Sequence, residues 1–555
     1  MSDNNMSYFV YQFEAVFIQD YILSGGKIKT MVGASELLEA VTSDLLEKTI
    51  NNLNLEIIAV SQLPDAGDLS LKASQVVLPR RTGGVFMMVS QNESLAKQFS
   101  ELWPILVSNF APGLRFSAAL AYDENYAEAG KKVREQLNAQ KNRPQTQLPE
   151  ATPITQRFQK TGQAQIDSQA DWTMLAKQTH PFNALAEKHF GRVVRDIRYI
   201  FPKQFEHKKH DAVYWQEAFP FKTTEPGNHD IAIIHTDGNG LGGYLQKIFN
   251  SLNQLTAADN IRAYAQFSSG LDEATQQAAQ QATHWLIEQY AHEDNPYKQK
   301  AIEQSKGKTV PLPMRPLILG GDDLTCLVRA DYALGFIQAF TRAFESATQK
   351  FVEALPQSLS GHLPEKLTCT TGMLFLKSNQ PFRLGYQLVE ELCSSAKKEG
   401  QVIAKAANSI MPPSLINFMH TTNTLFDELD VQIAQELITP TGQKLTAAPY
   451  AFADGQGRLT LQDLFAIKAC FDATNESKLK PSALRNYAGH LHQNPHYAEA
   501  FWNRWEKHSK EGKMASAWED FKQRWSKNGV QELPLSDLIT LFALDIHPHV
   551  LEEAQ

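Results

Sequence analysis

The segment PLILGGDDLTCLV, residues 316–328, admits few conformations. An apolar run ends in Gly320-Gly321, two aspartates follow, and a second apolar run begins at once. Gly-Gly supports a tight turn between strands, so the pattern predicts a hairpin with Asp322 and Asp323 at its tip. Adjacent carboxylates repel each other unless a cation or water lies between them. An oxygen-rich site of this kind suits Mg²⁺ or Mn²⁺. The competing reading is an ordinary hairpin with a solvated Asp pair. The apolar flanks and a second Asp-Gly strand end upstream argue against it.

That upstream element is IIHTDGNGLGGYLQKIF, residues 233–249. An apolar strand ends at Asp237, glycines stand at 238, 240, 242 and 243, and an amphipathic helix follows. Glycines let a backbone approach a ligand closely. A helix N-terminus offers unpaired N–H groups and a partial positive charge, which suits a triphosphate. Taken alone, the segment is equally a glycine turn with a helix-capping Asp. It is no Walker A loop, and GGKIKT at 25–30 lacks that spacing too. Together, Asp237, Asp322 and Asp323 form a candidate two-metal site: one ion would activate an attacking hydroxyl, the other would stabilise a leaving pyrophosphate. A third candidate element is Ser394-Ser395-Ala396-Lys397-Lys398, where Lys397 would fold back onto phosphates. A lysine complementing a helix dipole is its plain alternative.

The same order of elements occurs twice. QFEAVFIQDYI, TGGVFMMV and LRFSAAL near the N-terminus parallel HTDGNGLGGYL, LGGDDLTCLV and LTCTTGMLFL in the middle. This pairing sets Glu14 opposite Asp237, Tyr21 opposite Tyr244 and Gly83-Gly84 opposite Gly320-Gly321. Val85 and Phe86 then fall at the places of Asp322 and Asp323, so one copy keeps the carboxylates and the other is apolar there.

The 555 residues suggest three to four domains. Residues 1–130 read as α+β, with Ser35 an N-cap for the helix ASELLEAVTSDLLEKTI. Residues 131–185 read as a linker or insert, rich in Gln, Lys, Pro and Thr over its first part. Residues 186–425 hold the strands DIAIIHT, PLILGG, DLTCLV and LTCTTGMLFLK and the helices DYALGFIQAFTRAFESATQKFVEAL and FRLGYQLVEELCSSAKK. Residues 426–555 read as helical. In that tail Trp518, Phe521 and Trp525 stand at helical spacing, which favours a packed face over a nucleic-acid stacking platform. Cys326, Cys369, Cys393 and Cys470 form no C-x-x-C pair, which speaks against a zinc ribbon or disulfide framework and suits the cytoplasm. No apolar run reaches the ~20 residues of a membrane span, and the N-terminus does not read as a signal peptide. The net charge of −8 excludes a global attraction to nucleic acid but not a local basic groove.

The ordered series FIQDYILSGGKIKTMVGASELLE, TDGNGLG, LGGDD, TGMLFLKSNQPFRLGYQLVEELCSSAKK, SLINFMHT and LTAAPYAF resembles the large polymerase-like subunit of type III CRISPR effector complexes, and more distantly the GGDEF diguanylate cyclases. The resemblance implies an α+β fold with two ferredoxin-like palm domains packed face to face, the first (1–130) degenerate and the second (186–425) catalytic, followed by a helical C-terminal domain. It implies metal at Asp237, Gly238, Asp322 and Asp323, with these three aspartates catalytic. Nucleotide would lie against Gly238, Asn239, Gly240, Leu241, Gly242, Gly320, Gly321 and Lys397. The implied reaction joins ATP through 3′–5′ linkages into cyclic oligonucleotides, releases pyrophosphate, and serves antiviral defence with two Mg²⁺ or Mn²⁺ ions. Implied partners are nucleoside triphosphates, RNA, CRISPR effector subunits and a downstream effector that reads the product; no membrane is involved, and an oligomer is allowed. Two departures stand out. The chain starts directly at a palm rather than an HD nuclease domain, with His210-Asp211 and His229-Asp230 as isolated pairs. ITQRFQKTGQAQ, at the place of a zinc module, has no cysteine, so zinc is not expected. A stand-alone signalling enzyme and a subunit of an RNA-guided complex both remain open. The alternative from another class is a non-enzymatic nucleotide- or RNA-binding scaffold or sensor of such a complex, which would have no use for an intact Asp triad.

Overall fold

The computed structural model describes residues 7–23, 28–64, 69–111, 113–141, 230–291, 313–421, 428–453, 457–471, 475–526 and 532–546. Two sheets organise them. The first contains β1 (Tyr8–Val16), β2 (Glu56–Ile57), β3 (Gln75–Thr82), β4 (Val85–Ser90) and β5 (Arg115–Asp123) in the order β2-β3-β4-β1-β5. The second contains β6 (Asp230–Gly238), β7 (Met314–Gly320), β8 (Asp323–Arg329), β9 (Cys369–Lys377), β10 (Leu415–His420) and β11 (Tyr450–Ala451) in the order β11-β10-β9-β6-β8-β7. β3-β4-β1-β5 and β7-β8-β6-β9 share one antiparallel topology. The repeat read from the sequence is therefore a repeat of fold: two ferredoxin-like palms.

Strand alternation assigns the faces, because successive side chains point to opposite sides. In the second sheet Ile231 and Ile233 pack with Leu374, Leu376, Tyr386 and Val389, while Ala232 and Ile234 pack with Cys326, Val328, Met373 and Phe375. In the first, Tyr11, Phe13, Phe86 and Met88 face Phe99 and Trp103, while Tyr8, Val10, Met87 and Val89 face Tyr126, Val133 and Leu137. Helices α1 (Ile18–Leu23), α2 (Ile28–Ala40), α3 (Leu46–Asn52), α4 (Glu93–Phe110) and α5 (Tyr126–Lys141) serve the first sheet. α6 (Leu241–Leu252), α7 (Ala257–Ala291), α8 (Ala330–Ala354), α9 (Gln357–Ser360) and α10 (Phe382–Ala406) serve the second. The palms meet across a shared core: Ile318 of β7, Leu23 of α1 and Phe382 of α10 pack against the apolar clusters of both sheets.

Several expectations shift. Ser35 is no N-cap; it lies inside α2, whose Met31, Ala34, Leu37 and Leu38 are buried, so packing carries the helix past it. α5 crosses the expected boundary at 130 because Val133 and Leu137 continue its buried stripe. β11 joins the second sheet from beyond the expected boundary at 425, pairing Ala451 with Leu415. The rest of the 131–185 insert, 186–229, His210-Asp211 and His229 fall outside the described residues. Asp230 is buried at the start of β6, at the opposite end from Asp237, and pairs with Lys377 at 2.8 Å. In the C-terminal part α11 (Leu429–Glu436), α12 (Leu461–Ala469), α13 (Pro481–Gln493), α14 (Pro495–Ser509), α15 (Ala515–Trp525) and α16 (Leu535–Ala543) follow. Trp518 and Phe521 are fully buried there, and Trp525 packs at a tilt against Phe521 and Trp502, the packed face its spacing predicts.

Candidate active site

Asp237 stands near the end of β6, one residue beyond the last pair with β8, Thr236–Leu324, and opposite Thr370 of β9. Asp323 opens β8 and pairs with Gly320, which leaves Gly321 and Asp322 as the two-residue turn. Gly321 has φ +62°, the left-handed value that a hairpin turn needs at its first position and that glycine adopts freely. Alternation along β6 and β8 sends Asp237 and Asp323 to the α10 face of the sheet. The three carboxylates each offer an oxygen, and these atoms lie within 4.8 Å of one another.

Like charges this close disfavour ionisation. Burial pushes the Asp322 carboxyl up to about 6, and the Asp237 charge adds to the rise. Asp323 is raised well above the usual carboxylate range, first by burial and then by the charges of Asp322 and Asp237. Lys397 of α10 answers part of this charge. Its Nζ pairs with Asp237 Oδ2 and donates to the Gly238 carbonyl at 3.2 Å. Behind the triad, His235 is buried and hydrogen-bonded to Thr325 at 3.0 Å, and burial pulls its pKa down to about 4. It is a neutral packing group.

Gly238 must be glycine for a steric reason. A Cβ there would meet Asp322 Oδ2 at 2.7 Å and Leu241 Cδ1 at 2.8 Å. The bare backbone is what lets the β6 end and the hairpin tip approach each other, and the resulting pocket of carboxylate oxygens fits a hard divalent cation. Gly240, with φ +70°, turns the chain into α6, while added Cβ atoms at Gly242 or Gly320 meet nothing within 4 Å. Both glycines thus border open space. Leu241 is buried in the core, so only its backbone is placed to face a ligand. Asn239 is anchored through its side chain. Its side chain is buried, donates to Thr368 Oγ1 at 2.9 Å and accepts from Thr370 Oγ1 at 2.8 Å. Those bonds tie the strand end to β9.

The first palm repeats the arrangement with different residues. Glu14 on β1 pairs with Lys141 of α5 at 2.7 Å, as Asp237 on β6 pairs with Lys397 of α10. Tyr126 to Lys141 and Phe382 to Lys397 are both steps of 15 residues from the helix start. The register corrects one expectation. Glu14 pairs with Val85, and Thr82 with Val85 across the Gly83-Gly84 turn. Gly84 therefore matches Asp322 and Val85 matches Asp323, one residue from the sequence pairing. The two Gly-Gly dipeptides are out of step because the first is the turn itself, whereas Gly320 still belongs to a strand. Lys141 escaped sequence reading because it fell in the supposed linker; counting residues from the helix start would have found it.

Arg80 was missed as well. It sits on β3 opposite Met87, its Nη1 donates to Tyr264 Oη at 3.3 Å, and its Nε is buried without a partner among the described residues. Burial opposes its charge, but Tyr264, Glu14 and Asp322 outweigh that and keep it cationic. The field of Asp322 thus reaches a guanidinium of the other palm.

Fold and site together define a palm-type domain with a clustered Asp triad. Residues 230–404 match the family model described as Cas10/Cmr2, second palm domain. Among solved structures, Csm1 of T. onnurineus aligns with a TM-score of 0.50 at 14% identity, over 98% of this chain and 69% of that one. A Csm1–Csm4 cassette in complex with cA4 aligns with a TM-score of 0.49 at 12% identity, over 98% and 71%. At 14% identity the likeness to Csm1 is one of fold. Comparison with curated proteins finds no match. Among the described residues no helix is long and apolar enough to cross a membrane.

Proposed function

We propose that this chain is a divalent-metal-dependent nucleotidyltransferase that joins nucleoside triphosphates, ATP foremost, into cyclic oligonucleotides with release of pyrophosphate, as a signal in type III CRISPR-type antiviral defence. The observation that carries the reading is the Asp237–Asp322–Asp323 cluster, placed at a glycine-lined helix start within a Cas10/Cmr2 palm. Asp237, Gly238, Asp322 and Asp323 would hold the cations, Mg²⁺ or Mn²⁺. When bound there, such ions supply Lewis acidity to an attacking 3′-hydroxyl and a leaving pyrophosphate.

The chain's own residues do the positioning. The backbone of Gly238, Gly240, Leu241 and Gly242 leads into the α6 N-terminus and would receive the triphosphate. Gly320 and Gly321 leave room for it at the hairpin. Lys397 would exchange Asp237 for phosphate oxygens as cations arrive. The second nucleotide would lie against the first palm, where Arg80 and Lys141 supply charge and no pair of aspartates competes for metal. One chain would then present donor and acceptor without a symmetric dimer. The division into palms at 1–130 and 186–425, with α5 added to the first, belongs to this reading, as do a cytoplasmic location, RNA and CRISPR effector subunits as partners, and a downstream effector that reads the product.

The test is incubation of the purified chain with each nucleoside triphosphate and Mg²⁺ or Mn²⁺, followed by mass spectrometry. Cyclic oligonucleotides that vanish in Asp322→Asn would support the reading. Intact triphosphates under every condition, or products that survive Asp322→Asn, would overturn it.

A further inference from the structure

Helix α7 carries a polar stripe that touches the hairpins of both palms. Tyr264, Ser268, Asp272 and Thr275 recur at steps of four, four and three residues, which is one face of a helix. Tyr264 Oη accepts from Arg80, and Ser268 Oγ lies 3.4 Å from Thr82 Oγ1, so the first half of the stripe holds the β3 end of the first hairpin. The second half holds the other hairpin. Asp272 Oδ1 accepts from the Gly321 N–H at 3.2 Å, and Thr275 Oγ1 lies 2.6 Å from the Gly321 carbonyl. Gln276 Nε2 donates to Asp272 Oδ2 at 2.8 Å and fixes that carboxylate in place.

A threonine in mid-helix ordinarily bonds back to the carbonyl four residues earlier. Thr275 has that option, with Leu271 O at 3.1 Å, yet its shorter contact is to Gly321. The hydroxyl has one proton, and the distances assign it mainly to the hairpin. Both backbone polar groups of Gly321 are thus gripped by one turn of a distant helix. The Gly321 carbonyl belongs to the peptide that carries Asp322, so its orientation sets where that side chain starts.

We propose that Asp272 and Thr275 are positioning residues for the candidate metal hairpin: they fix the two peptide planes that flank Gly321, Asp272 the Gly320–Gly321 plane and Thr275 the Gly321–Asp322 plane, so that Asp322 and Asp323 keep their place beside Asp237, and through α7 they tie that place to the first palm. The proposal rests on the reading of the Asp triad as a metal site. Neither residue touches reacting atoms, so their loss acts through geometry. It weakens cation binding and lowers kcat, and leaves nucleotide KM nearly unchanged.

The experiment uses the full chain, Mn²⁺ calorimetry and pyrophosphate release from ATP, in Thr275→Val, Thr275→Ser and Asp272→Ala. Groups that orient metal ligands typically contribute about 10- to 100-fold in metal affinity. Thr275→Val is expected to weaken Mn²⁺ binding about tenfold and to lower kcat by a similar factor, with KM for ATP within about twofold. Thr275→Ser keeps the hydroxyl and is expected to restore both. Asp272→Ala, which removes no helix propensity, is expected to show the same pattern as Thr275→Val and serves if that variant does not fold. Wild-type Mn²⁺ affinity and kcat in Thr275→Val or Asp272→Ala overturns the proposal, as does a serine variant as impaired as the valine one. If the wild-type chain binds Mn²⁺ no better than Asp322→Asn does, the metal-site reading falls and takes this proposal with it.

Discussion

Gly238→Ala isolates geometry from chemistry, because it removes no ligand. The new methyl would stand 2.7 Å from Asp322 Oδ2 and 3.0 Å from Asp322 Cβ, with Leu241 Cδ1 at 2.8 Å on its other side. Ordinary contact begins near 3.4 Å, so Asp322 must retreat by several tenths of an ångström or β6 must shift. Overpacking of this kind costs about 1–3 kcal/mol. A reaction that needs Asp322 in place carries such a cost in its barrier, and each ~1.4 kcal/mol is tenfold in rate. We expect kcat to fall about 10- to 100-fold, with a cooperative melting transition retained. Gly489→Ala is the matched control: its Cβ meets nothing within 4 Å, and it sits inside α13, away from the triad. It should leave kcat within about twofold, since the change adds helix propensity and no clash. Single-turnover pyrophosphate release reads both variants. A wild-type rate in Gly238→Ala, or an equal loss in Gly489→Ala, would refute the steric argument.

Asp322→Asn should abolish turnover yet raise the thermal midpoint of the chain measured in chelator, because it removes one of three crowded like charges; an unchanged or lower midpoint in a melting scan would contradict this. Lys141→Met should raise KM for the acceptor nucleotide while leaving Mn²⁺ affinity at the Asp triad intact, and steady-state kinetics with calorimetry separates the two. The C-terminal part should show its own pH dependence. Burial pushes the Asp537 carboxyl up to about 6, against the pull of hydrogen bonds from Tyr450, Ala447 and Thr446. A folded-state pKa above the unfolded one means the folded chain binds more protons between about pH 4 and 6. Stability therefore falls as pH rises through that window, by about 3 kcal/mol for a shift of about two units. Asp537→Asn should flatten that slope in denaturant titrations.

The strands around the triad were legible because an apolar run that ends in Gly and Asp has few other folds open to it. β6, β7, β8 and β9 fall where DIAIIHT, PLILGG, DLTCLV and LTCTTGMLFLK place them. The palm repeat was legible for the same reason. What escaped was whatever depends on partners far along the chain. Asp272 and Thr275 look like ordinary polar positions of a long helix until Gly321 arrives 49 and 46 residues later. Arg80 reads as a strand-edge cation until Tyr264 and Asp322 approach from the other palm. Asn239 sits in a glycine loop that reads as ligand-binding, yet Thr368 and Thr370 hold both ends of its side-chain amide. Ser35 met the local rule for a helix cap, and the buried residues on both sides of it overrode that rule.

The central claim is that Asp237, Asp322 and Asp323 gather divalent cations for nucleotidyl transfer. Anomalous diffraction from crystals soaked with Mn²⁺ and a non-hydrolysable ATP analogue tests it most directly. We expect Mn²⁺ peaks among the oxygens of Asp237, Gly238, Asp322 and Asp323, with the triphosphate toward the α6 N-terminus. A catalytically active chain with its manganese bound elsewhere, or with no peak at this cluster, would contradict the account.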